Sequence, residues 1–124
     1  MKNTNEYVIS MKLPSLNEVI NVNRYCRYAG NDLKQNTQEL IYPYIKDMPR
    51  YEKPIKIDFH WYEGNKRRDL DNIASAKKFI LDAMVKYGKL KDDNRKNVYA
   101  FTDNFYYGKE WKVILKIQEV ENVL

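Results

Sequence analysis

Cysteine is nearly absent from this chain, and Cys26 stands alone, which excludes an internal disulfide and any zinc site built from several thiolates. A reducing compartment fits that usage. No apolar run approaches the ~20 residues that cross a bilayer, and the N-terminus lacks the apolar core and small-residue cleavage site of a secretory leader. A cytoplasmic location and no membrane partner are therefore expected. Histidine is equally scarce: His60 sits among aromatic residues in an alternating stretch, where a lone imidazole is more often structural than catalytic. Repeats, low-complexity tracts and linkers are missing too, so residues 1–124 read as one domain.

What is present is charge and tyrosine. The chain carries 22 basic and 17 acidic residues, a formal charge of +5, with 31% charged and 44% hydrophobic residues. That balance favours an anionic partner without naming one. Eleven Tyr, four Phe and two Trp argue against disorder.

Hydrophobic periodicity outlines an α/β (α+β) domain, a mixed sheet packed by helices. Residues 6–13 alternate as a strand closed by Pro14. Segment 15–31, rich in Asn, reads as a loop with a helical turn. Asn31 or Asp32 caps a helix running to about Asp47, which Pro43 should kink or end early. In residues 55–62, Ile55, Ile57, Phe59 and Trp61 alternate with Lys56, Asp58, His60 and Tyr62, as a half-buried strand requires. A helix is expected from about Asp71 to Tyr87, stopped by Gly88. Residues 97–107 and 110–120 read as two strands paired in a hairpin through Gly108 and Lys109.

The chemistry concentrates in residues 66–93. Asp69 and Asp71 alternate, so in extended chain both carboxylates leave one side of the backbone, with Cα atoms roughly 7 Å apart. Two hard oxygen donors so placed can share a cation. Lys66, Arg67 and Arg68 precede them, and a phosphate-binding site wants this mixture. On one continuous helix, Asp71, Ser75, Lys78 and Asp82 would fall close to one line, aiming Lys78 at the acidic pair, with Lys77 about 100° away. Asp92 and Asp93 could join the site if the returning chain folds back beside the helix start. The bland alternative stays open: Asp69 or Asp71 caps the helix, and Asp92 and Asp93 form a turn. An EF-hand is excluded, because the sixth and twelfth positions from Asp69 are Ala74 and Ile80 rather than Gly and Glu. Mg²⁺ suits the site better, since it takes one or two carboxylates and keeps waters and substrate phosphate. Tyr25, Tyr28, Tyr106 and Tyr107 could stack on nucleic acid, or serve as ordinary core and rim.

Arg68-Asp69-Leu70-Asp71-Asn72, then Lys78, Leu81-Asp82-Ala83-Met84, Gly88 and Asp92-Asp93, resemble the RusA family of Holliday-junction resolvases. Leu13-Pro14-Ser15-Leu16-Asn17 and Asn23-Arg24-Tyr25 look like that family's N-terminal segment, a weaker match. The resemblance implies a small homodimeric α/β endonuclease of DNA recombination and repair, of phage or prophage type. Such an enzyme binds four-way or branched DNA and nicks it symmetrically with Mg²⁺, or Mn²⁺ in its place. It further implies catalytic roles for Asp69, Asp71, Asp93 and Lys78, metal ligation by Asp69, Asp71, Asp92 and Asp93, and DNA contacts from Lys66, Arg67, Arg68 and Lys77. The stretch between Asn72 and Lys78 is longer than in the compact motif, which leaves Lys77 as a possible substitute for Lys78. A nuclease with broader branched-DNA substrates and a catalytically inactive junction-binding protein are the alternatives.

Overall fold

The computed structural model describes residues 4–121. It places eight elements in the order β1 (Thr4–Ile9), α1 (Leu16–Tyr25), α2 (Arg27–Ile45), β2 (Ile55–Glu63), α3 (Leu70–Ala74), α4 (Lys77–Lys86), β3 (Val98–Tyr107) and β4 (Lys112–Glu119). The result is the expected α+β architecture, a mixed four-stranded sheet with helices. No helix among the described residues is long and apolar enough to cross a membrane.

β2 follows directly from its sequence. Ile55, Ile57, Phe59, Trp61 and Glu63 are buried while the residues between them are half-exposed. The strand alternates because one sheet face meets the core and the other does not. On the inner face Phe59 and Trp61 stack with ring centroids 5.4 Å apart. Ile9, Leu115 and Ile117 join them from the neighbouring strands, with Ile41 and Ile45 of α2 and Ile80, Ala83 and Met84 of α4 completing the core.

Three expectations fail, each for a physical reason. Residues 15–31 are not a loop: they form α1 and the start of α2. Ser15 Oγ accepts the backbone N–H of Glu18 at 3.2 Å, the first half of a Ser-x-x-Glu capping pattern. Cys26, extended at φ −162°, separates the two helices. α2 then runs through Pro43 to Ile45, because fully buried Ile41 and Ile45 hold its last turn where only one helical N–H is lost.

The predicted 71–87 helix is split. Ser75 Oγ donates to Asn72 O at 2.8 Å, and the N–H groups of Ala76, Lys78 and Phe79 reach carbonyls three residues back rather than four. Three-residue spacing winds the chain more tightly than an α-helix, so residues beyond Ser75 rotate away from the face carrying Asp71.

The hairpin is also absent. β3 pairs parallel to β2, and β4 pairs antiparallel to both β1 and β2, giving the order β1-β4-β2-β3. β4 buries Val113, Leu115 and Ile117 in strict alternation and needs a neighbour on each side, whereas β3 exposes Tyr99, Phe101, Tyr106 and Tyr107 and suits an edge. The α3–α4 segment is thus the crossover of a β-α-β unit, which parallel pairing demands.

Leu115 is fully buried on a central strand. Leu115→Ala is expected to lower the unfolding free energy in urea by about 2–5 kcal/mol, whereas Val8→Ala on the open face changes it by no more than about 1 kcal/mol.

Candidate functional site

The site begins where β2 ends. Glu63 is buried, and its carboxylate accepts a bidentate pair from Arg68, Nε to Oε1 at 2.7 Å and Nη2 to Oε2 at 2.8 Å. Arg68 Nη1 also donates to Leu13 O at 2.8 Å, tying the loop to the segment between β1 and α1. Between the two residues Gly64 lies against Trp111, where any Cβ would overlap the indole ring. The five residues leaving β2 are therefore pinned at both ends. Arg68 belongs to this anchor rather than to the free basic surface, which is carried here by exposed Lys66 and Arg67.

Immediately after the anchor come Asp69 and Asp71. Asp69 takes the N-cap position of α3 with extended backbone, but its side chain makes no capping hydrogen bond. Both carboxylates are exposed, and neither side chain has a hydrogen-bond or ion-pair partner among the described residues. The surrounding acids differ. Glu63 is held by Arg68, Asp82 and Asp93 by Lys78, and Asp103 by Lys77 and Trp61. Asn72, between Asp71 and the helix kink, accepts the Asn17 backbone N–H at 3.2 Å and so fastens α3 to α1.

The two lysines at the start of α4 part company. Lys77 turns inward, its ammonium 2.6 Å from Asp103 Oδ2 and 3.8 Å from the centroid of Phe101. Lys78 turns outward, 2.8 Å from Asp93 Oδ2 and 3.1 Å from Asp82 Oδ1. Of the two, Lys78 faces an open groove, and Lys77 is engaged against β3. The overwound turn at Ser75 is what aims Lys78 at Asp93 instead of along a line with Asp71.

Asp93 lies in a tight acidic turn. Asp92 Oδ1 accepts the Asp93 N–H at 2.8 Å, and Asn94 Oδ1 accepts the Lys96 N–H at 3.1 Å. Asp92 and Asp93 border a groove of about 460 Å³ shared with Asp82, Lys78 and Lys86 of α4 and with Lys34, Gln35 and Gln38 of α2. Asp69 borders a separate hollow of about 350 Å³. Asp82 joins the two helices, since Lys34 Nζ reaches its Oδ2 at 3.5 Å. No sequence pattern marks Lys34 or Glu63; the Lys78-x-x-x-Asp82 spacing is the visible trace of this network.

For a divalent cation the donor chemistry is hard oxygen at every position, and Asp69 and Asp71 are free to ligate. Among the described residues, however, no group of three or more His, Cys, Asp or Glu side chains gathers as a metal centre would require. The residues fit a cation held by one or two carboxylates, its remaining places taken by water or phosphate. They do not form the assembled four-carboxylate set.

Asp93's carboxyl is held below the usual carboxylate range, chiefly by the Lys78 hydrogen bond, and Lys78 is raised, chiefly by Asp93 and then Asp82. The depressed acid stabilises the fold above its unfolded pKa and loses that contribution as pH falls through the lower folded value. The raised amine contributes below its unfolded pKa and loses it as pH rises through the higher folded one. The pair is therefore intact from weakly acidic to weakly alkaline pH. Carboxyl-carbon NMR should show Asp93 titrating below the ordinary 3.8 in the wild type and returning toward it in Lys78→Ala. An unchanged midpoint in the variant would show that the pair does not form in solution. The anchor has a different signature: Arg68→Ala strands a buried carboxylate and should lower stability by about 3–5 kcal/mol, while Arg67→Ala stays within about 0.5 kcal/mol. Chemical denaturation distinguishes them.

No protein-family model matches this chain, and no curated protein matches it in sequence.

Proposed function

We propose that this protein is a Mg²⁺-dependent, structure-specific endodeoxyribonuclease that resolves four-way DNA junctions by paired nicks, acting as a homodimer in recombination and repair. One observation carries the reading. Among the described residues Asp69 and Asp71 are exposed and unpaired, next in the chain to exposed Lys66 and Arg67, whereas Glu63, Asp82, Asp93 and Asp103 are each held by a cation. Free carboxylates beside free cations, on a rigidly anchored loop, suit a site that receives both a metal ion and a phosphodiester.

In this mechanism Asp69 and Asp71 would hold the cation. Bound Mg²⁺ would polarise the scissile phosphate and lower the pKa of the attacking water. Lys66 and Arg67 would take flanking phosphates, which fixes register without reading bases. Lys78 and Asp93 neutralise each other in the free protein. DNA entering the groove would compete for the ammonium, so the pair would open on binding and release Lys78 toward the negative charge of a phosphate held there. A two-fold dimer presents two equivalent sites, which matches two symmetry-related strands of a junction.

A binding-only protein is the second reading, favoured by the engagement of Asp93 with Lys78 rather than with Asp69 and Asp71. Gel cleavage of a synthetic junction, a flap and a linear duplex separates the possibilities. With Mg²⁺ the wild type should nick the junction in preference to the others, EDTA should stop it, and Asp71→Asn should abolish product while still binding DNA. Lys78→Ala is expected to lose about 10²–10³-fold in rate, the scale for removing one group that stabilises transition-state charge. Product from Asp71→Asn equal to wild type, or none from either, would remove the nuclease. Equal cutting of flaps would widen its substrate class. Binding should weaken with salt, and Arg67→Ala should flatten that log–log slope by about one unit.

A further inference from the structure

Beside Asp69, at the end of β2 and β3, lies the 350 Å³ hollow noted above, and the nuclease reading leaves it unexplained. Its walls include Leu70, Ile73, Phe105 and Tyr107. Leu70 is 57% exposed and Tyr107 62%. Two large apolar side chains are thus held in water at the edge of the acidic loop. Lys66 lies over the Tyr107 ring at 3.9 Å, the only ammonium contact to that ring among the described residues.

We propose that this hollow receives a single unstacked nucleobase of the bound DNA, next to the phosphate that faces Asp69 and Asp71; this rests on that edge meeting DNA, as above. The size is right for a flat heterocycle, since ligand pockets begin at about 300 Å³. The wall chemistry is right as well, because aromatic and aliphatic surfaces accept any base face without reading its edge. Charge selects the occupant. Lys66 at the rim, and Arg67 next to it in the chain, are exposed and suit the phosphates flanking an extruded base, whereas a purely apolar peptide would leave Lys66 and the Asp69 carboxylate of the wall without polar partners. Of the polar lining, Glu63 and Arg68 satisfy each other, which leaves Asn65 and Asp69 at the loop side as the groups open to a base edge. An exposed lysine–aromatic contact is weak, so a base could replace the ammonium on Tyr107 and release Lys66 to the adjoining phosphate. The bases at a junction's branch point are the least constrained by stacking, which makes their extrusion the easiest.

The test is an affinity cycle in EDTA, read by fluorescence anisotropy of labelled four-way junctions, intact or carrying one abasic position scanned across the crossover. Tyr107→Ala should weaken binding of the intact junction about tenfold, and Tyr107→Phe should stay within about twofold because the ring, not the hydroxyl, is used. One abasic position should weaken the wild type equally, with no additional loss in Tyr107→Ala. Leu70→Ser, at another exposed wall position, should repeat the pattern if Tyr107→Ala folds poorly. Undiminished affinity in both variants overturns the proposal. So do losses that are the same at every abasic position, or conversion to monomer by sedimentation, which would give the hollow to a second copy of this chain. Cleavage without any Tyr107 effect removes the base pocket alone; an intact cycle without cleavage in Mg²⁺ removes the nuclease reading alone.

Discussion

The buried Glu63–Arg68 ion pair is the constraint on which the candidate site depends. It closes the end of β2, reaches back to Leu13, and fixes the point from which the crossover departs. Two charges so buried are expensive to desolvate, and a bidentate geometry with a further carbonyl acceptor is what offsets that cost. Without the anchor, the Gly64–Arg68 loop would be free to move, and Asp69 and Asp71 would ride on a flexible segment. With it, α3 and its two acids leave the end of β2 from a fixed point.

Charge is divided between two kinds of group. Some pairs are internal supports: Glu63 with Arg68, and Asp103 with Lys77 beneath Phe101. Others stand in solvent and are exchangeable. Lys78 is among the most exposed of the paired lysines, bridging Asp82 and Asp93, and a solvated pair of this sort is held weakly. That difference separates an internal framework of ion pairs from solvated pairs at the surface.

Much of this organisation was visible in the residues. β2 was read from alternation because a strand with one buried face prints its geometry on the sequence at period two. The acidic pair and its basic flank were found by local spacing, and the capping of α1 was available in Ser15-x-x-Glu18 but was outweighed by four Asn residues. The role of Arg68 is not visible in the sequence, because Glu63, five positions upstream, reads there like any surface acid, and its other partner is a backbone carbonyl 55 positions away. The split of the crossover helix is hidden for a different reason: a single Ser in the second turn is tolerated in a helix, and nothing in the pattern marks that its hydroxyl donates to the Asn72 carbonyl.

The sequence by itself determined where the strands lie, the inner face of β2 and the grouping of acids with cations along residues 66–71, since each depends on residues within a few positions of one another. Tertiary structure alone decided that β2 would lie between β3 and β4, that Lys77 would turn inward and Lys78 outward, and that Asp93 would meet Lys78. Those outcomes follow from which strands need two neighbours and how far a tightened turn rotates a helix. Both are set by the packing of the whole core rather than by any local pattern.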